Sequence, residues 1–143
     1  MPVQPYIPYV PTNLFAMPLV TMTVQTGANE DWVSAIRYTV DASTMDPPPL
    51  EDPQLDLRGI RFEMEVRPTV PSHDVVITAS TDDGSLTIGF EPDYGFFLFR
   101  VPWAVMQKQF PGHYAGEVRG TDAFGTRRVI VVELEIVEGV VRP

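Results

Sequence analysis

The sequence predicts an all-β fold, an antiparallel sandwich of about seven or eight strands, and three observations carry that prediction. From Leu19 onward apolar residues recur with period two, the period of a strand with one face buried. Fifteen prolines and ten glycines are spread along the 143 residues and cut the chain into short segments. With 44% hydrophobic residues it can bury a real core as one domain. Strands at this spacing, separated by turn residues, argue for a sandwich or barrel.

The first element is an extended arm, residues 1–18, ahead of a sandwich domain over 19–143. It begins MPVQPYIPYVPT, with proline at positions 2, 5, 8 and 11. Three residues per turn is the period of polyproline II, so Pro2, Pro5, Pro8 and Pro11 line one edge of an arm that spans roughly 30 Å. From Met1 to Asn29 there is no Asp, Glu, Lys or Arg, and the first charged side chain of the sequence is Glu30. Solvated tails are charged and poor in aromatics, whereas this segment carries Tyr6, Tyr9, Leu14 and Phe15. Packing against a different subunit is therefore expected, with Pro2, Pro5, Tyr6, Pro8, Tyr9, Pro11, Leu14 and Phe15 as the partner-binding residues; wrapping of the chain's own core is the alternative. Prolines interrupt every apolar stretch, and no basic segment precedes a continuous apolar run, so neither a signal peptide nor a membrane span is expected here.

The strands follow in order. Leu19 to Val24 and Trp32 to Val40 alternate weakly. In Ile60 to Arg67 the alternation is complete: Ile60, Phe62, Met64 and Val66 face inward, and Arg61, Glu63, Glu65 and Arg67 outward. Val75 to Ser80 leads through Thr81-Asp82-Asp83-Gly84-Ser85, an Asp-Gly hairpin signal, into Leu86 to Ile88. Phe96 to Val101, His113 to Arg119 and Arg128 to Val137 complete the set, the last with Ile130, Val132, Leu134 and Ile136 inside. Between Pro102 and Phe110 one or two helical turns cross an end of the sandwich, with Trp103, Met106 and Phe110 at i, i+3 and i+7. Residues 41–57, acidic and proline-rich, are too long for a hairpin and form a surface excursion.

Pro111-Gly112-His113-Tyr114 opens the penultimate strand. There immunoglobulin-like sandwiches place a tyrosine corner, whose hydroxyl bonds back to the backbone upstream. Tyr114 is the candidate, with an ordinary half-buried tyrosine as the plain alternative.

Composition limits function. A net charge of -9 with only ten Lys and Arg speaks against nucleic acid and against an anionic membrane as partners. With no cysteine there is no disulfide, thiolate nucleophile or thiolate metal site. Sequence signatures of hydrolases, nucleotide binding and zinc proteases are absent. His73 and His113 belong to no spaced ligand set, so neither metal nor cofactor is expected. Asp52, Asp56, Asp82, Asp83 and Asp93 are the carboxylates from which a glycosidase pair would be drawn, but turn geometry and a solvated loop explain them, and no enzyme is expected. A calcium site would use Asp41, Asp46, Glu51, Asp52 and Asp56, which lack regular spacing.

The succession Asp56-Leu57-Arg58-Gly59, a strand ending Val66-Arg67, Asp83-Gly84-Ser85-Leu86-Thr87-Ile88, Phe110-Pro111-Gly112-His113-Tyr114, and a final strand closing on Glu138-Gly139-Val140-Val141-Arg142 resembles the immunoglobulin-like N-terminal domain of phage baseplate upper proteins and related small phage tail proteins. The resemblance covers roughly residues 19 to 142. The chain departs from it in having Ala115-Gly116-Glu117 after the tyrosine, where the family has an aromatic-Asp pair, and in an enlarged loop at Asp46 to Pro53. It implies a structural virion protein, assembled in the host cytoplasm, that anchors fibre or receptor-binding subunits to the tail. Its implied partners are other virion structural proteins, with a homo-oligomer within the particle. The alternatives are a capsid decoration or cement protein, and a glycan-binding module using Phe96, Phe97 and Trp103.

Overall fold

The alternating run Arg61–Arg67 becomes the fourth strand of a five-stranded sheet, with Phe62, Met64 and Val66 buried and the charged residues between them facing out. The structure, a computed structural model, describes residues 12–39, 47, 50–51, 54–89 and 94–138. Within these, eight strands and two one-turn helices follow in the order α1 (Asn13–Ala16), β1 (Val20–Gly27), β2 (Trp32–Arg37), β3 (Arg61–Arg67), β4 (Ile77–Ser80), β5 (Leu86–Ile88), β6 (Phe96–Val101), α2 (Trp103–Met106), β7 (Gly112–Asp122) and β8 (Gly125–Val137).

The larger sheet has the order β1-β8-β7-β3-β4 and the smaller β2-β6-β5. This is the immunoglobulin-like arrangement: β3, β7 and β8 stand as C, F and G, β4 extends that sheet as C′ does, and β2, β6 and β5 stand as B, E and D. One pairing departs from an all-antiparallel sandwich. β1 runs parallel to β8 over eight consecutive residue pairs, from Val20 opposite Ile130 to Gly27 opposite Val137. β1 and β8 are far apart in the sequence and joined by no tight turn, so a parallel pairing is open to them.

The Asp-Gly signal also resolves differently. β4 pairs with β3 and β5 with β6, so Thr81 to Ser85 carries the chain from one sheet to the other instead of closing a hairpin. The turn chemistry is nevertheless present. Gly84 has φ +81, and Asp83 Oδ1 accepts from the Ser85 amide at 2.8 Å and from the Ser85 hydroxyl. A turn signal fixes the local bend, but not which sheet the next strand joins. The tight hairpin lies instead at Asp122–Gly125, where Asp122 Oδ1 accepts from the amides of Phe124 and Gly125.

The core lies between the sheets. Phe62 on β3 meets Phe97 edge-on at 4.9 Å, Phe97 meets Phe99 at 6.3 Å, and Phe99 meets Trp32 at 5.0 Å, so an aromatic chain crosses from one sheet to the other. Ile130, Val132, Leu134 and Ile136 of β8 are buried as the alternation predicts. In α2 only Met106 is buried; Trp103 at its first position is exposed, and so is Phe110, which lies beyond the single turn. Leu55 and Leu57, at the end of the acidic excursion, are core residues and not part of its solvated surface.

Candidate functional site

The segment expected to bind a partner divides at Thr12. Pro2, Pro5, Tyr6, Pro8, Tyr9 and Pro11 lie outside the described residues. Leu14 and Phe15 lie within them, on α1, and the sandwich itself takes up both. Leu14 is fully buried and Met17 is buried beside it in the core. A Cβ on Gly120 would stand 2.5 Å from Leu14 Cδ1, 3.1 Å from Ile60 Cγ2 and 3.2 Å from Phe62 Cε1. The missing side chain on β7 therefore makes room for Leu14, whose burial removes it as a partner contact. Within the expected arm, residues 1–18, Leu14 and Met17 therefore pack into the sandwich core and Phe15 against it.

Polar contacts fix the same turn from three sides. Thr12 caps α1, its hydroxyl accepting from the Phe15 amide at 3.5 Å. Asn13 Nδ2 donates to the Asp56 carbonyl at 2.9 Å, which ties α1 to the β2–β3 connection. Arg127 on β8 donates to the Phe15 carbonyl at 2.6 Å, with its guanidinium 6.0 Å from the Phe15 ring. Phe15 itself is half-buried. A hydrogen bond from the Thr12 side chain is the main cause holding the Asp122 carboxyl below its ordinary value.

This root sits at one end of the sandwich, with the β2–β3, β5–β6 and β7–β8 connections. Leu57 donates to the Tyr94 carbonyl and Tyr38 to the Gly95 carbonyl, joining the first two connections. Arg58 forms a bidentate pair with Asp56, at 2.6 Å for the shorter contact, and lies 3.5 Å over the Tyr94 ring. That pairing lowers the Asp56 pKa. The end is a base of packed and hydrogen-bonded groups, and residues 1–11 precede it in the sequence.

The family comparisons bear on fold alone. No family model matches the chain, and no curated protein matches it. Solved structures similar to it include the second Ig domain of mouse polymeric immunoglobulin receptor, at 9% identity and TM-score 0.37 over 82% of this chain and 96% of that one. Murine CRIg is similar at 14% identity and TM-score 0.34, covering 80% and 92%. The first Ig-like domain of human CD48 antigen is similar at 15% and 0.31, covering 87% of each chain. Likeness at this level carries nothing about function; the strand order and the tyrosine corner identify the immunoglobulin-like sandwich.

The tyrosine corner is present. Tyr114 Oη donates to the Phe110 carbonyl at 2.5 Å across the start of β7. The other residues singled out in the sequence do not converge. Phe97 is buried in the aromatic chain, Phe96 lies half-buried near the root end, and Trp103 follows the far end of β6, so no aromatic platform forms. Asp82 pairs with Arg61 at 2.5 Å, Asp56 with Arg58, and Asp83 serves its turn. Asp41, Asp46, Asp52 and Asp93 lie outside the described residues. Among the described residues no group of three or more His, Asp or Glu is placed to hold a metal ion, and no helix is long and apolar enough to cross a membrane. His113 is exposed, 3.3 Å from Glu135, and His73 is exposed on the β3–β4 connection.

The outer face of the large sheet is a charge ladder: Arg119 bridges to Glu63 at 3.0 Å and Arg67 to Glu65 at 2.9 Å. It frames a shallow depression of about 220 Å³ over Ala115 and Gly116. Sequence reasoning missed the root. Its signal was Thr12 followed by Leu14 and Met17 at i and i+3, a capped apolar turn, which the proline repeat before it obscured.

Proposed function

We propose that this chain is a non-enzymatic structural protein of a phage tail or baseplate, which joins neighbouring subunits through its sandwich and through residues 1–11. The observation that carries the reading is the root. An uncharged segment containing two tyrosines and four prolines is held at its base by Leu14, Asn13 and Phe15 against three different parts of the sandwich. A proline-rich segment loses less entropy on docking than a flexible one, and tyrosine offers large contact area with few rotatable bonds. A fixed base adds to this by limiting where the segment can reach. The charged outer face, laced by cross-strand pairs, leaves little free charge for an anionic ligand.

Deletion of residues 1–11 tests the proposal because it leaves the root intact. The truncated chain should melt within a few degrees of the full chain and fail to enter particles. Recovery of the truncated chain in particles at the full-chain level would overturn the reading. Fractionating tails from heads in the same experiment decides between a tail and a head-decoration role.

A further inference from the structure

Sheet edges are places where a folded chain can accept another strand, and folded proteins block them with short strands, charges, prolines or bulges. Three of the four edge strands here are protected in these ways. β4 has four residues and β5 three. β2 has six residues and ends on the charged Arg37.

β1 is different. It has eight residues, VTMTVQTG, with no charge and no proline, and it keeps unbroken register with β8. The Ala28 amide donates to the Val137 carbonyl at 2.9 Å. Backbone groups alternate sides along a strand, so those of Val24 and Met22 also point to β8, and those of Thr21, Thr23 and Gln25 point to the open edge. Among the described residues the last outward position is capped, the Gly27 amide donating to Glu30 Oε1 at 2.7 Å. Among the described residues no strand lies beyond β1.

We infer that β1 is a strand-addition edge whose occupant is β1 of a second copy of this chain, paired antiparallel about Thr23. Thr23 then stands opposite Thr23 of the second copy and Thr21 opposite Gln25, so neutral hydrogen-bonding side chains meet on the outer face. On the core side the half-buried Met22 stands opposite Val24, and each covers the other's exposed flank. An edge strand paired with itself in this way is self-complementary and closes as a two-fold dimer. The chain's net charge does not oppose it locally. The nearest β8 carboxylate, Glu133, bonds Thr23 at 3.3 Å. It lies about three strand spacings, roughly 14 Å, from its counterpart, beyond the screening length of about 8 Å at physiological salt. Residues 1–11 of the same chain are poor occupants, because Pro2, Pro5 and Pro8 remove amide donors from both alternating sets. The inference stands whether or not the protein belongs to a phage tail.

Sedimentation equilibrium of the full chain over a concentration series tests it, with variants at the centre of symmetry. The wild type should show a monomer–dimer equilibrium. Thr23→Lys and Thr23→Glu, each placing like charges opposite one another, should each raise the dimer dissociation constant about fivefold or more. An equal mixture of the two should restore dimers, which a merely structural effect of either substitution would not do. Thr23→Pro removes an outward amide that the β1–β8 ladder does not use, and should give a monomer with wild-type circular dichroism. A wild type that stays monomeric to about 1 mM would overturn the inference and leave the edge to a strand of another protein. A dimer indifferent to all three substitutions would overturn it by placing the contact elsewhere.

Discussion

The Tyr114 hydroxyl donates to the Phe110 carbonyl at 2.5 Å, four residues back along the chain, and so pins the connection after α2 to the start of β7. Phe110 itself is exposed, so the bond holds backbone and not packing. Tyr114→Phe should keep the fold and lose about 1 kcal/mol, the net worth of one hydrogen bond. Chemical denaturation should show a lower midpoint at unchanged slope.

Leu14 and Gly120 are complementary in shape, so their substitutions should couple. Leu14→Ala removes a fully buried side chain and should cost roughly 2–4 kcal/mol. Gly120→Ala adds a methyl where Leu14 Cδ1 already sits and should cost about 1–3 kcal/mol. In the double variant the cavity left at Leu14 accommodates the new methyl, so the combined loss should fall well short of the sum. Additive losses in a double-mutant cycle would contradict the packing described.

Tyr38 is buried with its hydroxyl unpartnered among the described residues, and burial pushes its pKa up to about 12. A raised folded value means that the folded chain holds the proton after the unfolded chain has lost it. Stability is therefore full below the unfolded value near 10 and falls as pH rises through about 12. Tyr38→Phe should remove this alkaline loss and, by removing an orphaned hydroxyl, stabilise the protein by roughly 1 kcal/mol at neutral pH. Melting temperatures measured from pH 7 to 11 check both parts.

Acid acts through the opposite sign. Asp31 is held below 3.8 mainly by its hydrogen bond from Arg100, Asp56 by Arg58, Asp83 by Ser85 and Asp122 by Thr12. Depressed folded values contribute stability that is present above 3.8 and lost as pH falls through the lowered values. All four groups lie near the surface, so each share is small. The melting temperature should decline gradually below about pH 4, and Asp122→Asn should shallow that decline. An unchanged slope in Asp122→Asn would separate Asp122 from the root of the N-terminal segment.

Local pattern made most of the sandwich legible. Period-two alternation located Phe62, Met64 and Val66 and the inner face of β8, because each of these strands buries one face only. Pro111-Gly112-His113-Tyr114 located the tyrosine corner. Partner choice was not legible. Whether Val20–Gly27 pairs with β8 or with β2, and whether the Asp83-Gly84 turn leads to the same sheet or the other, depends on contacts more than a hundred residues apart or across the core. The burial of Leu14 was not legible for a related reason. Its uncharged surroundings continue those of residues 1–11, and the gap at Gly120 that receives it lies more than a hundred residues away.

Limited proteolysis with mass spectrometry, on the free chain and on the particle that contains it, asks whether residues 1–11 join the chain to a neighbour. Cleavage is expected within residues 1–11 in the free chain, with none from Thr12 to Pro18, and the whole segment should be protected in the particle. Protection of residues 1–11 in both states would assign them to the chain's own sandwich, and cleavage in both would leave them without a partner; either result would overturn the proposed role.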